Sequence, residues 1–156
     1  MNVVNVAEDY HAHDEKRRRL VFVDLETRNL VFYELDKGRW RVRLTKNNPP
    51  ARVSNTYGFV WDGDRDWYVR WGGRVNHDGS IAYGRPGSPR MDLWVIPAEG
   101  DTWREIPLGG DAPPLTDMAI ILWDGVHHRL MLIGGPHEVN DGSIHYLRLD
   151  AAGMAT

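Results

Sequence analysis

Apolar positions along this chain come in short bursts rather than in helical stripes. The segments Leu20–Val23, Leu30–Leu35, Tyr57–Trp61, Trp67–Trp71, Leu93–Ile96, Met118–Trp123, Leu130–Ile133 and Ile144–Leu149 are apolar or alternating, and turn-forming residues separate them. Runs of four to six such residues between Gly, Pro, Asp and Asn predict β-strands. No window of a dozen residues keeps apolar positions at i, i+3, i+4 and i+7 without an intervening Gly or Pro, so no helix is expected. Seven tryptophans, 16 glycines and nine prolines fit the same picture. Large aromatics favour half-buried pleated surfaces, while Gly and Pro punctuate short strands. The expected class is all-β.

The bursts repeat. Trp61-Asp62-Gly63 precedes Gly72-Gly73 by the interval that separates Trp123-Asp124-Gly125 from Gly134-Gly135, and the two windows lie 62 residues apart. Trp40 and Trp103 are 63 apart, and Pro49-Pro50 and Pro113-Pro114 are 64 apart. Each unit reads as a four-stranded meander. Its first strand ends in Trp-Asp-Gly, its second in Gly-Gly, its third is Asp92–Ile96, and its fourth carries Trp103. Asp-Gly turns favour hairpins because the backbone there needs positive φ. A four-stranded sheet with two faces to bury is satisfied by stacking on neighbours of its own kind.

These landmarks resemble the kelch repeat of galactose-oxidase-like β-propellers. The diglycines Gly72-Gly73 and Gly134-Gly135, the tryptophans Trp40 and Trp103, and the stretch Pro49-Pro50-Ala51-Arg52 carry the resemblance. The sequence departs from the pattern at Thr116, where the arginine would stand, and at Pro97, where the family has a tyrosine. The resemblance implies a fold and implies no catalytic residue. Arg19–Val23 aligns with Arg129–Ile133, yet Asp24-Leu25 replaces the diglycine, so the first unit should turn differently. Three blades are expected, at about 7–45, 55–107 and 117–150 of a single domain. Closed propellers have four to eight blades. Either two copies complete a six-bladed ring about a two-fold axis, or the chain is part of a longer or mixed propeller. The strand-like Asn2–Val6 has no place in the first blade and is a candidate for the fourth strand of a third blade, supplied from the next subunit in a closing ring.

Composition narrows the function. Among 156 residues the 19 Lys and Arg against 22 Asp and Glu leave a net charge of −3, with no basic footprint for nucleic acid or an anionic membrane. Zero cysteines exclude a disulfide scaffold, a zinc ribbon and a cysteine nucleophile, and suit a cytoplasmic setting. No P-loop, dinucleotide fingerprint or nucleophile elbow is present, and no cofactor is expected. His11 and His13 share one side of an extended segment but lack a third metal ligand at usual spacing, and the Asp62–Asp66 run lacks the calcium-loop Gly and Glu. No metal site is expected.

The loops joining second to third strands, and one blade to the next, share one face in such a meander. Loops on a rigid scaffold gather binding residues. Those at 45–54, 73–91, 108–116 and 136–142 therefore supply the candidate contacts Arg52, Arg74, His77, Tyr83, Arg85, His137 and Glu138. Arginines with a tyrosine suit an acidic or planar partner. The expected function is a binding module that presents this face to a protein or a small polar ligand. The alternative is a small hydrolase, isomerase or lyase acting on a sugar-like or polar metabolite in a central funnel.

Overall fold

The computed structural model of the chain describes residues 11–53, 56–81, 86–110, 120–133 and 143–149. Strands fill them as expected, in three antiparallel sheets, and no described helix is long and apolar enough to cross a membrane. The first sheet runs in chain order through β1 (Ala12–Asp14), β2 (Arg19–Val23), β3 (Leu30–Glu34) and β4 (Arg39–Arg43). The second takes β5 (Gly58–Asp62), β6 (Trp67–Asn76), β7 (Gly87–Pro97) and β8 (Arg104–Ile106). The third holds β9 (Ile120–Asp124), β10 (Arg129–Ile133) and β11 (Ile144–Leu147). Each strand pairs with the next, so every sheet is a meander.

The repeat is plainest in the first hairpin of each sheet. Asp14, Asp62 and Asp124 close their strands and accept backbone amides from the turn that follows. Asp14 Oδ1 takes the Arg17 amide at 3.0 Å, Asp62 Oδ1 those of Asp64 and Arg65 at 3.0 and 3.1 Å, and Asp124 Oδ1 those of Val126 and His127 at 3.2 Å. A cationic or imidazole side chain three residues on returns to each carboxylate: Arg17 at 3.1 Å, Arg65 at 3.1 Å and His127 at 2.8 Å. The fourth turn residue is left-handed in all three, with φ of 50° at Arg18, 58° at Asp66 and 54° at His128. Three equivalent non-glycine residues in that sparsely populated region mark one hairpin design used three times.

The diglycine behaves differently from its reading as a strand end. Gly72 and Gly73 sit inside β6, at a bulge where the pairing with β7 shifts register, and the strand runs on to Asn76. Their φ values of 57° and 101° explain glycine at both places. The 73–91 stretch is accordingly not a loop throughout, since Gly73–Asn76 pairs with Gly87–Arg90 and lengthens the hairpin. The first unit lacks this device. Asp24 instead closes a short turn: its amide donates to Asn29 O at 2.9 Å, its carbonyl accepts from the Arg28 amide at 2.8 Å, and its Oδ1 accepts the Thr27 amide and hydroxyl, each at 2.7 Å. That sheet keeps four strands.

The sheets stack in series. One apolar core joins Val21, Val23, Leu30 and Phe32 of the first sheet to Tyr57, Phe59, Tyr68, Ile96 and Trp103 of the second. A separate core joins Val69, Trp71, Leu93, Val95 and Ile106 on the other face of the second sheet to Ile121, Leu130, Leu132 and Leu147 of the third. The first strands of the three sheets lie side by side, β5 contacting both β1 and β9. Polar bonds lace the first interface. Tyr68 donates its hydroxyl to buried Asp14 at 2.6 Å, and Arg19 donates from Nη2 to the Tyr68 oxygen at 2.6 Å and Ala98 O at 3.0 Å. Burial, and donation to the Asp14 carboxylate, push the Tyr68 hydroxyl well above the ordinary phenol range. The turns touch as well: Arg17 binds Asp66 at 2.5 and 2.7 Å, and His128 pairs with Asp64.

Candidate functional site

Among the described residues, two concavities bear on function. One lies where the linker after the first sheet, the bulged β6–β7 hairpin and β8 converge. The Pro-x-Arg stretch places Arg52 there, only 3% exposed, under the bulge. Its Nε donates to Gly72 O at 3.1 Å, its Nη1 to Pro50 O and Ala51 O at 3.2 Å, and its Nη2 pairs with Asp92. Gly73 has to be glycine against this clamp. A Cβ there would stand 2.9 Å from Tyr57 Cβ and 3.1 Å from Arg52 Cδ. Asp92 also accepts the Trp94 indole N–H at 2.8 Å.

Beneath Arg52 lies a second buried guanidinium. Arg70 donates to Pro50 O at 3.2 Å and packs 4.6 Å from the Tyr57 ring centroid. Burial pushes its pKa down to about 10, since the charged form loses hydration it does not fully recover. Arg70 Nε and Asp92 Oδ1 are buried without hydrogen-bond partners among the described residues. Above them opens a cavity of about 450 Å³ lined by Arg52, Arg90, Met91, Asp92, Trp94 and Glu105, among others. Two guanidiniums and two carboxylates line it, and buried Arg70 lies within electrostatic reach of Arg52 and Asp92. Such a site favours a polar ligand that brings an acidic group, with the Trp94 ring as a planar wall.

The other concavity, about 630 Å³, follows the three first strands. His11, His13 and Glu15 come from the first sheet, Phe59 and Trp61 from the second, and Ile121, Leu122 and Trp123 from the third. It is an aromatic and aliphatic groove with two imidazoles and a carboxylate along one wall.

Of the residues expected from sequence, the structure brings Arg52 into the first cavity, as a buried clamp rather than an exposed contact. Arg74 is half-buried on β6, its amide donating to Thr56 Oγ1 at 2.9 Å and its carbonyl accepting the Val53 amide at 2.9 Å. His77 is exposed beyond β6, its Nε2 lying 3.1 Å from Ser88 Oγ on the opposite arm of the hairpin. Tyr83, Arg85, His137 and Glu138 lie outside the described residues, as do Met1–Val6, Pro113-Pro114 and Gly134-Gly135. Sequence reasoning passed over Asp92, Trp94 and Glu105. Asp92 had a legible signal, a carboxylate heading the apolar run Asp92–Ile96, where a strand side chain of that kind needs a buried partner.

No protein-family model matches this chain, and no curated protein is significantly similar to it.

Proposed function

We propose that the three sheets are kelch-like propeller blades and that the chain is a cytoplasmic recognition module. It binds a small polar ligand, or an acidic side chain of a protein partner, at the end of the second blade. The observation that carries this reading is the cavity over the Arg52–Asp92 pair, where rigid strands and a clamped linker hold Arg90, Trp94 and Glu105 around unsatisfied buried polar atoms. Preorganised polar groups on a fixed scaffold bind without first being ordered. A second reading, a small hydrolase, isomerase or lyase acting on a polar metabolite, rests on the groove along the first strands, where His11, His13 and Glu15 supply proton-transfer groups.

One spectrum separates the two. The chain has seven tryptophans, each with an indole N–H resonance in a ¹H–¹⁵N correlation. Titration with a panel of small carboxylates, sugar acids and neutral sugars should shift the Trp94 resonance, and Arg90→Ala should abolish the shift. A ligand that moves only Trp61 and Trp123 transfers the reading to the groove. A panel that moves none of the three defeats both.

A further inference from the structure

Each sheet has a rear face and a forward face, and both internal interfaces follow one rule. The forward face of the first sheet (Val21, Val23, Leu30, Phe32) packs on the rear face of the second (Phe59, Tyr68, Ile96). The forward face of the second (Val69, Trp71, Val95) packs on the rear face of the third (Ile121, Leu130, Leu132). The rule leaves two faces over, one of each kind. On the forward face of the third sheet, Ile120, Leu122, Ile144 and Tyr146 are exposed large hydrophobics. Leu122 stands 62 residues after Val60, which packs against the second core, and half-buried Met131 and Ile133 stand 62 after buried Val69 and Trp71.

On the rear face of the first sheet, the register places Trp40 and Val42 opposite Tyr33 and Val31. Phe22 and Val31 are buried there, while Trp40, Val42 and Leu44 of the outer edge are exposed, as is Leu35. Trp40 is the repeat equivalent of Trp103. Trp103 is 0% exposed in the core between two sheets, whereas Trp40 is 57% exposed. The same landmark is covered where a preceding sheet exists and bare where none does.

We infer that a second copy of this chain covers these faces, the forward face of its third sheet seating on the rear face of the first sheet. The contact is head-to-tail, made twice, and closes a ring of six sheets about a two-fold axis. The two bare faces are the complementary halves of an interface that the chain already builds twice, and soluble monomers rarely leave apolar faces of this kind in water. In this ring the groove of β1, β5 and β9 becomes a closed channel lined by both copies.

The turn charges add a second expectation. Arg17 meets Asp66 and Asp64 meets His128 across the internal interfaces. At the new interface the corresponding residues are Val126 and His127 facing Arg18, which already pairs with Asp36 at 2.7 Å. Among the described turn residues no opposite charge meets there, so association rests on apolar area and should resist high salt.

Two double variants test the proposal, both at exposed positions: Val42→Arg with Leu44→Arg on the rear face, and Leu122→Asp with Tyr146→Asp on the forward face. Near-ultraviolet circular dichroism, to which buried Trp71 and Trp103 contribute, reports that each stays folded. In sedimentation velocity the unaltered chain should run at twice its 17.9 kDa mass with or without high salt, and each variant at the single mass. An equimolar mixture should form a heterodimer through the one rear and one forward face left intact. An unaltered chain at the single mass, with its faces therefore reserved for another protein, overturns the inference. So does one variant that remains dimeric, the mark of a face pairing with itself, or a mixture that forms no heterodimer at the top of the concentration series.

Discussion

Asp66 occupies the left-handed position of the second sheet's first turn and receives Arg17 of the neighbouring sheet through two bonds. Lys16 adds a third at 2.8 Å, and the Trp61 indole a fourth at 3.2 Å. The Arg17 bonds above all hold this carboxyl well below the ordinary aspartate range, even though partial burial opposes that. Because the folded state resists protonation, the unfolded chain takes up the proton first as pH falls. The stabilisation is therefore complete above the usual aspartate pKa of about 4 and fades below it. Asp66→Asn should cost about 1 kcal/mol at neutral pH, a hydrogen-bonded ion pair partly discounted for its exposure. It should also flatten the fall of stability below about pH 4. Urea melts across that range check both, and an acid limb as steep as that of the parent chain would remove Asp66 from the account. This residue was visible in sequence only as part of an Asp-rich turn. Its partner comes from 49 residues away, and no local pattern announces such a pair.

At the scale of elements, strand positions and the 62-residue period were legible because both are local properties: apolar runs, Asp-Gly turns and tryptophan landmarks. The length of the β6–β7 hairpin was not. Residues beyond Gly73 are polar and rich in Gly and Pro, so nothing in them signals a strand. They pair because the bulge redirects β6 and the Arg52 clamp holds it. The candidate site was half legible for the same reason. Arg52 belonged to a recognised stretch, whereas Asp92, Arg90 and Glu105 meet it only through pairing across the sheet. Gly73→Ala tests the bulge directly. The added Cβ would press on Tyr57 Cβ at 2.9 Å in a backbone with φ of 101°. Overpacking and left-handed strain together should cost about 2–5 kcal/mol. A loss of unfolding free energy below about 1 kcal/mol in denaturant melts would mean that Gly73 is not the keystone of this hairpin.

For the whole molecule, two apolar cores in series explain why the chain holds three sheets in order, and why the order has two ends. Among the described residues, the second sheet is covered on both faces and its neighbours on one each. The tryptophans Trp40 and Trp103 show why sequence alone could not say which face would be bare. Their surroundings in the chain are alike, and only the place of their sheets in the series separates them. The proposed ring joins these two ends. Its most direct test is absolute mass by light scattering on the unaltered chain through a dilution series. A species that holds at twice 17.9 kDa across the series is the result expected of a ring closed by two identical contacts. Mass that stays at 17.9 kDa, or climbs without limit as open head-to-tail chains would, contradicts it.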